Sequence, residues 1–300
     1  MTDMMEFYSG LLFVLLGVVA ILMNMMLIGI VIGIPNRKRE LNLSLMLAIV
    51  DTINPVTAIT TTAYVLVTGK GPEQMQGACK VKGPIDFLII YASMLLVAVV
   101  ARSRLAVVLD KHIHIIEKIA LFLYTAFYCG VVVWIGYYDE YQVSPSGVDC
   151  APNAHLNTRS ALLVFLLGLS LLISTAIALS CYSSILWFLY RNYRNLEHTT
   201  NKPTVSLIPR ASNVNRQVIY RTAAVCSVYL LLSVPAGILL MMEATVTLPY
   251  TDTLSFVISV CVSLSTIANP CLVLFAHSII YHHFTQALSR RFRRARSAIL

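Results

Sequence analysis

Seven apolar runs constrain this chain more than any other feature. They lie at about 8–34, 42–67, 84–109, 117–138, 160–190, 217–244 and 252–276. A helix rises about 1.5 Å per residue, so about 20 apolar residues cross a hydrocarbon core of about 30 Å. Every run reaches that length. In lipid, each backbone N–H and C=O must be paired within the chain, which for runs this long means helices. The sequence therefore predicts an all-α membrane protein: a seven-transmembrane helix bundle forming one domain over 1–300. Only 12% of the residues are charged and 58% are hydrophobic. That is about half the charge of a soluble domain.

Charge then orients the bundle. The first basic residue is Arg37, and Asp3 and Glu6 precede the first run. A cleavable signal peptide would need a basic start, so the first run reads as an uncleaved anchor with the N-terminus extracellular. The cytoplasmic segments are then 35–41, 110–116, 191–216 and the tail from 277. They hold Arg37, Lys38, Arg39, Lys111, Arg191, Arg194, Lys202, Arg210, Arg216 and the arginines at 290, 291, 293, 294 and 296. The opposite side holds Lys70, Lys80, Lys82 and Arg159. Fourteen against four follows the positive-inside rule, with the C-terminus cytoplasmic and the plasma membrane as the expected location. The net charge of +8 is thereby explained by membrane flanks, and no nucleic-acid partner is expected. In the tail, Ile280, Phe284, Leu288 and Phe292 recur every four residues among arginines. That spacing predicts an amphipathic interfacial helix over about 278–294, lying on anionic lipids. The 191–216 segment reads as a polar, mobile loop.

Five of the seven cysteines (Cys129, Cys181, Cys226, Cys261 and Cys271) lie in apolar runs. Cys79 and Cys150 sit in polar loops on the same, extracellular side. In an oxidising compartment that makes them a disulfide pair. From Cys79 the chain runs through an apolar helix to Arg104, 25 residues or roughly 37 Å away. Asp51 lies near mid-membrane in the second run, where insertion of an aspartate costs roughly 2.5–3.5 kcal/mol. Asn24, Asp51, Ser93, Ser265 and Asn269 are polar positions on four helices at similar depth. They read either as an interhelical hydrogen-bond network or as oxygen ligands around a sodium ion, held chiefly by Asp51 and Ser93. Asn42-Leu-Ser44 matches a glycosylation sequon but faces the cytoplasm in this topology.

These residues resemble a divergent rhodopsin-like (class A) G-protein-coupled receptor, of orphan or chemosensory type. The likeness covers the whole chain. It rests on Asn24 in the first helix and Leu47-Ala48-Ile-Val-Asp51 in the second. Cys79 and Arg104 stand at the family's separation, with Cys150 as outer-loop partner. Pro235 stands in the sixth helix and Asn269-Pro270 in the seventh. The resemblance implies that an extracellular ligand, small-molecule in class, biases a two-state bundle. Asp51, Ser93, Asn269 and Pro270 would relay that bias. The sixth helix would swing about Pro235, and Arg104, Ser103 and Tyr182 would form the cleft for a heterotrimeric G protein. It also places Asp86, Ser233, Gly237 and Ser263 around the ligand, with Asp86 where amine receptors hold an ammonium group. The simpler reading pairs Asp86 with Lys82, one turn earlier. The seventh helix has no lysine, so a retinal Schiff base of the opsin kind is not available.

The chain departs from the family at three positions. Ser103 replaces the acid before the arginine, Val273 the tyrosine of the seventh helix, and Ser233 the tryptophan before the proline. The missing ion pair is worth about 0–1 kcal/mol, which would raise basal activity modestly. Three other classes stand beside the receptor. A non-signalling decoy or scaffold receptor fits Ser103 and Val273. A transporter would show inverted repeats or broken helix pairs, and none is visible. A metal hydrolase needs His, Asp or Glu at matched depth, but all seven histidines lie in loops or beyond helix ends. No enzyme activity is expected.

Overall fold

The computed structural model describes residues 2–35, 39–68, 72–110, 115–137, 141–143, 150–152, 158–199, 208–245, 252–276, 280–281 and 283–286. Seven long helices follow one another: α1 (Thr2–Ile32), α2 (Arg39–Thr68), α3 (Pro72–Val108), α4 (Ile115–Tyr137), α5 (Thr158–Thr199), α6 (Ile208–Thr245) and α7 (Asp252–Ala276). Between α4 and α5 lie two short strands, β1 (Tyr141–Val143) and β2 (Cys150–Pro152), paired antiparallel with Val143 opposite Cys150. Six of the helices contain a stretch long and apolar enough to span a membrane; α4 offers a shorter one, Ile119–Ile135. The chain is a multi-pass membrane protein.

The helices run past the apolar stretches, because backbone pairing within a helix does not stop where lipid ends. α3 starts at Pro72, so Cys79 lies on its early turns and not in a loop as the sequence suggested. The 191–216 segment, expected as a loop, is helical on both sides. α5 continues to Thr199 and α6 begins at Ile208, with 200–207 outside the described residues. Of the predicted tail helix over 278–294, residues 280–281 and 283–286 are helical and Ile280 is fully buried. Its arginines at 290, 291, 293, 294 and 296 lie outside the described residues.

α3 is the central element, touching α2, α4, α5 and both strands. Around it α1 packs on α2 and α7, and α6 packs on α5 and α7. Small residues allow the closest approaches. A Cβ on Gly168 of α5 would stand 2.9 Å from the Gly237 carbonyl oxygen on α6. A Cβ on Gly83 would overlap the Tyr141 ring, so only glycine lets β1 lie flat on α3. The Cys79–Cys150 disulfide ties β2 to the same helix, at a Cα separation of 5.2 Å.

Two apolar clusters fill the bundle. One, around Phe87, Tyr91, Tyr128, Tyr141, Leu163 and Leu167, lies toward the disulfide end. The other, around Leu27, Leu47, Ala101, Tyr182, Leu272 and Val273, lies toward the Arg104 end. Outward faces are apolar as well. On α4, Ile119, Phe122, Leu123, Phe127, Val133 and Trp134 are exposed, as a lipid-facing surface requires. Burial raises the Tyr141 phenol, in the hairpin, above its ordinary titration range, so it stays neutral.

Candidate functional site

Asp51 is the polar centre of the bundle and is fully buried. Its Oδ1 accepts a 2.5 Å hydrogen bond from Ser93 Oγ on α3. Its Oδ2 accepts one of 2.8 Å from Asn269 Nδ2 on α7. Three helices therefore meet on one carboxylate, in the way a buried charge requires. Asn269 Oδ1 in turn accepts 2.7 Å from the Tyr229 hydroxyl on α6. Asn24 does not reach the carboxylate. Its Nδ2 donates to the carbonyls of Ala20 at 2.9 Å, Thr266 at 3.2 Å and Asp51 at 3.5 Å, and its buried Oδ1 has no partner among the described residues. It stitches α1 to α2 and α7 through their backbones. Ser265 Oγ donates to Cys261 O in its own helix, one turn back, so it stands outside the Asp51 pairings. Pro270 is buried directly after Asn269.

Two cavities flank this network. The smaller, about 50 Å³, is lined by Asn54, Ser93, Ser174, Thr175, Tyr229, Ser233, Ser265 and Asn269 among others. Hydroxyl- and amide-bearing side chains share its walls with Ile90, Met94, Val97, Leu171, Ala236 and Val262. The larger, about 130 Å³, opens toward the disulfide end. Its walls come from α1, α2, α3, α5, α6 and α7, and Cys150 and Pro152 of the hairpin also line it.

The four residues expected around a ligand separate in space. Asp86 and Ser263 line the larger cavity. Ser233 lines the smaller, deeper one. Gly237 lines neither; it faces α5, where a Cβ would meet Leu172 at 2.8 Å. The sixth-helix position therefore serves packing. Asp86 itself is paired: Lys82 Nζ lies 2.6 Å from its Oδ2, while its buried Oδ1 has no hydrogen-bond partner among the described residues. The i, i+4 ion pair is the arrangement found.

At the opposite end Arg104 is buried, 6% exposed. Its Nη1 donates to the Tyr182 hydroxyl on α5 at 3.4 Å, while Nε and Nη2 have no hydrogen-bond partner among the described residues. Ser103 beside it is also buried. The neighbouring Arg102 holds a two-point contact with Glu117 on α4, Nε to Oε2 at 3.0 Å and Nη2 to Oε1 at 2.7 Å. An acid thus does neutralise an arginine on this part of α3, but it is the residue two positions earlier.

Sequence reasoning missed Tyr229, Glu243 and the Arg102–Glu117 pair. Glu243 had a readable signal, being a lone acid near the end of the sixth apolar run. It is buried and lines the larger cavity. Tyr229 had none, because an aromatic in a membrane run faces lipid or core with equal ease.

No protein family matches the chain by sequence, and no curated protein does. Its structure matches the crystal structure of squid rhodopsin with a TM-score of 0.69 at 15% identity. The match covers 96% of this chain and 86% of that one. The chain folds as the rhodopsin-like (class A) G-protein-coupled receptors do.

Proposed function

We propose that the chain is a receptor that transduces an extracellular small-molecule ligand to a cytoplasmic heterotrimeric G protein. What carries this reading is one continuous arrangement. A walled cavity lies toward the disulfide end, and at the other lies a buried arginine with two nitrogens unpartnered among the described residues. Between them the Ser93–Asp51–Asn269–Tyr229 chain joins α2, α3, α6 and α7. The disulfide end is extracellular on this reading, because the basic flanks sit at the Arg104 end. A ligand that favours one packing of α6 and α7 shifts the bundle by its differential affinity for the two states. Tyr229 and Asn269 report that shift to Asp51. Outward movement of α6 about Pro235 then bares Arg104 and Tyr182 to a G-protein helix, and the basic tail holds anionic lipid.

A sodium ion would be held by Asp51 and Ser93, whose oxygens keep lone pairs beyond the two hydrogen bonds. Ser103, in the place of an acid, favours one second reading, a receptor that binds without signalling. Complex formation with nucleotide-free G protein heterotrimers separates the two. The expected result is a complex that guanosine triphosphate dissolves and that Arg104→Ala prevents. No complex with any heterotrimer class would give the reading to the decoy, and solute flux in proteoliposomes would give it to a transporter.

A further inference from the structure

Two carboxylates line the larger cavity, and they are not equivalent. Asp86 on α3 is already matched by Lys82, 2.6 Å from its Oδ2. Glu243 on α6 is 4% exposed, lines the same cavity, and makes no hydrogen bond or ion pair among the described residues. Among the described residues, no lysine, arginine or histidine lines that cavity. Asp86 and Lys82 cancel, which leaves Glu243 as the carboxyl that faces the space without a partner among the described residues. An isolated carboxylate withdrawn from water is costly, and a cation brought against it recovers that cost. The remaining walls are largely apolar, with Phe13, Phe87, Ile90, Met94, Leu240 and Ile258 among them.

We propose, resting on the receptor reading above, that this cavity binds a small organic monocation with an apolar body, and that Glu243 holds its charged group. Asp86 is a bystander so long as Lys82 is paired with it. The ligand thus bridges α6, through Glu243, to the apolar faces of α3 and α7, through Phe87 and Ile258. Its charged end touches the helix whose position the receptor reading makes decisive.

Thermal melting of the purified full-length chain tests this with two probes. Phenethylamine is a monocation at neutral pH, and phenethyl alcohol is its uncharged counterpart. The amine is expected to raise the melting temperature at millimolar concentration and the alcohol to leave it unchanged. Glu243→Gln is expected to weaken the amine's apparent affinity at least about tenfold, the factor a charge-assisted hydrogen bond supplies. Lys82→Met keeps Glu243 and frees Asp86, so it is expected to tighten the amine several-fold. Equal responses to both probes, a response to neither, an amine response intact in Glu243→Gln, or no tightening in Lys82→Met would each overturn the proposal. The readout needs no G protein, so its failure leaves the signalling reading to its own test. Stabilisation by the alcohol alone would keep the cavity as a ligand site and overturn only its charge.

Discussion

Tyr229→Phe is the cleanest probe of the link between α6 and α7. It removes one hydroxyl and keeps the ring. In the wild type that hydroxyl donates to Asn269 Oδ1 at 2.7 Å, and Asn269 donates onward to Asp51 at 2.8 Å. The variant leaves Asn269 Oδ1 without its donor, in a side chain only 6% exposed. A net hydrogen bond is worth about 0.5–1.5 kcal/mol. Between membrane helices the mean is about 0.6 and the upper end about 1.7 kcal/mol. Both residues line the 50 Å³ cavity, from which a water can replace part of the lost bond. The expected cost is therefore about 1 kcal/mol. Asn269→Leu should cost more, about 1.5–3 kcal/mol, because it also strips a donor from a buried carboxylate. Unfolding is read by a thiol-reactive dye, for which the buried Cys181 is silent until the bundle opens. In the Asn269→Leu background, Tyr229→Phe should cost nothing further, as a double-mutant cycle requires of a true contact. Melting of Tyr229→Phe at or above wild type, or an equal cost in both backgrounds, would refute the link.

Other predictions follow the same logic. Cys79→Ser and Cys150→Ser should lower surface expression equally, since the bond closes a separation of 71 residues, worth about 4 kcal/mol of chain entropy; unequal losses would contradict a shared role. Gly168→Ala forces a Cβ to 2.9 Å from the Gly237 carbonyl, so overpacking should cost about 1–3 kcal/mol in melting. Gly130→Ala, where a Cβ meets nothing within 4 Å, should be neutral or stabilising by up to about 1 kcal/mol. If sodium raises the melting temperature, Asp51→Asn should remove that response, and an unchanged response would place the ion elsewhere.

The bundle was legible because lipid leaves long apolar runs only one backbone solution, and because Cys79, Asp51 and Arg104 stand at depths that the spacing fixes. The polar centre was legible in part. Asp51, Ser93 and Asn269 meet, but Ser265 turns back on its own helix and Asn24 bonds backbone atoms. Which way a side chain points depends on helix rotation, and a residue count does not carry that. Gly237 was misplaced for the same reason: a rotation of one residue about the helix axis moves a position from cavity to interface. The α5 and α6 extensions were hidden because counting apolar residues finds the membrane and not the helix. Glu243 was visible as an acid in an apolar run, but its unpartnered state emerges only from the packing around it.

The most direct measurement is ligand-free nucleotide exchange on a panel of G proteins, in membranes holding wild type, Arg104→Ala and Ser103→Asp. Arg104 has one 3.4 Å bond to Tyr182 and no neighbouring acid on its own helix to hold it closed. Wild type should therefore show basal exchange, Arg104→Ala should abolish it, and Ser103→Asp should dampen it by restoring a pair worth about 0–1 kcal/mol. Basal exchange that survives Arg104→Ala, or silence of the wild type on every G protein, would contradict the account.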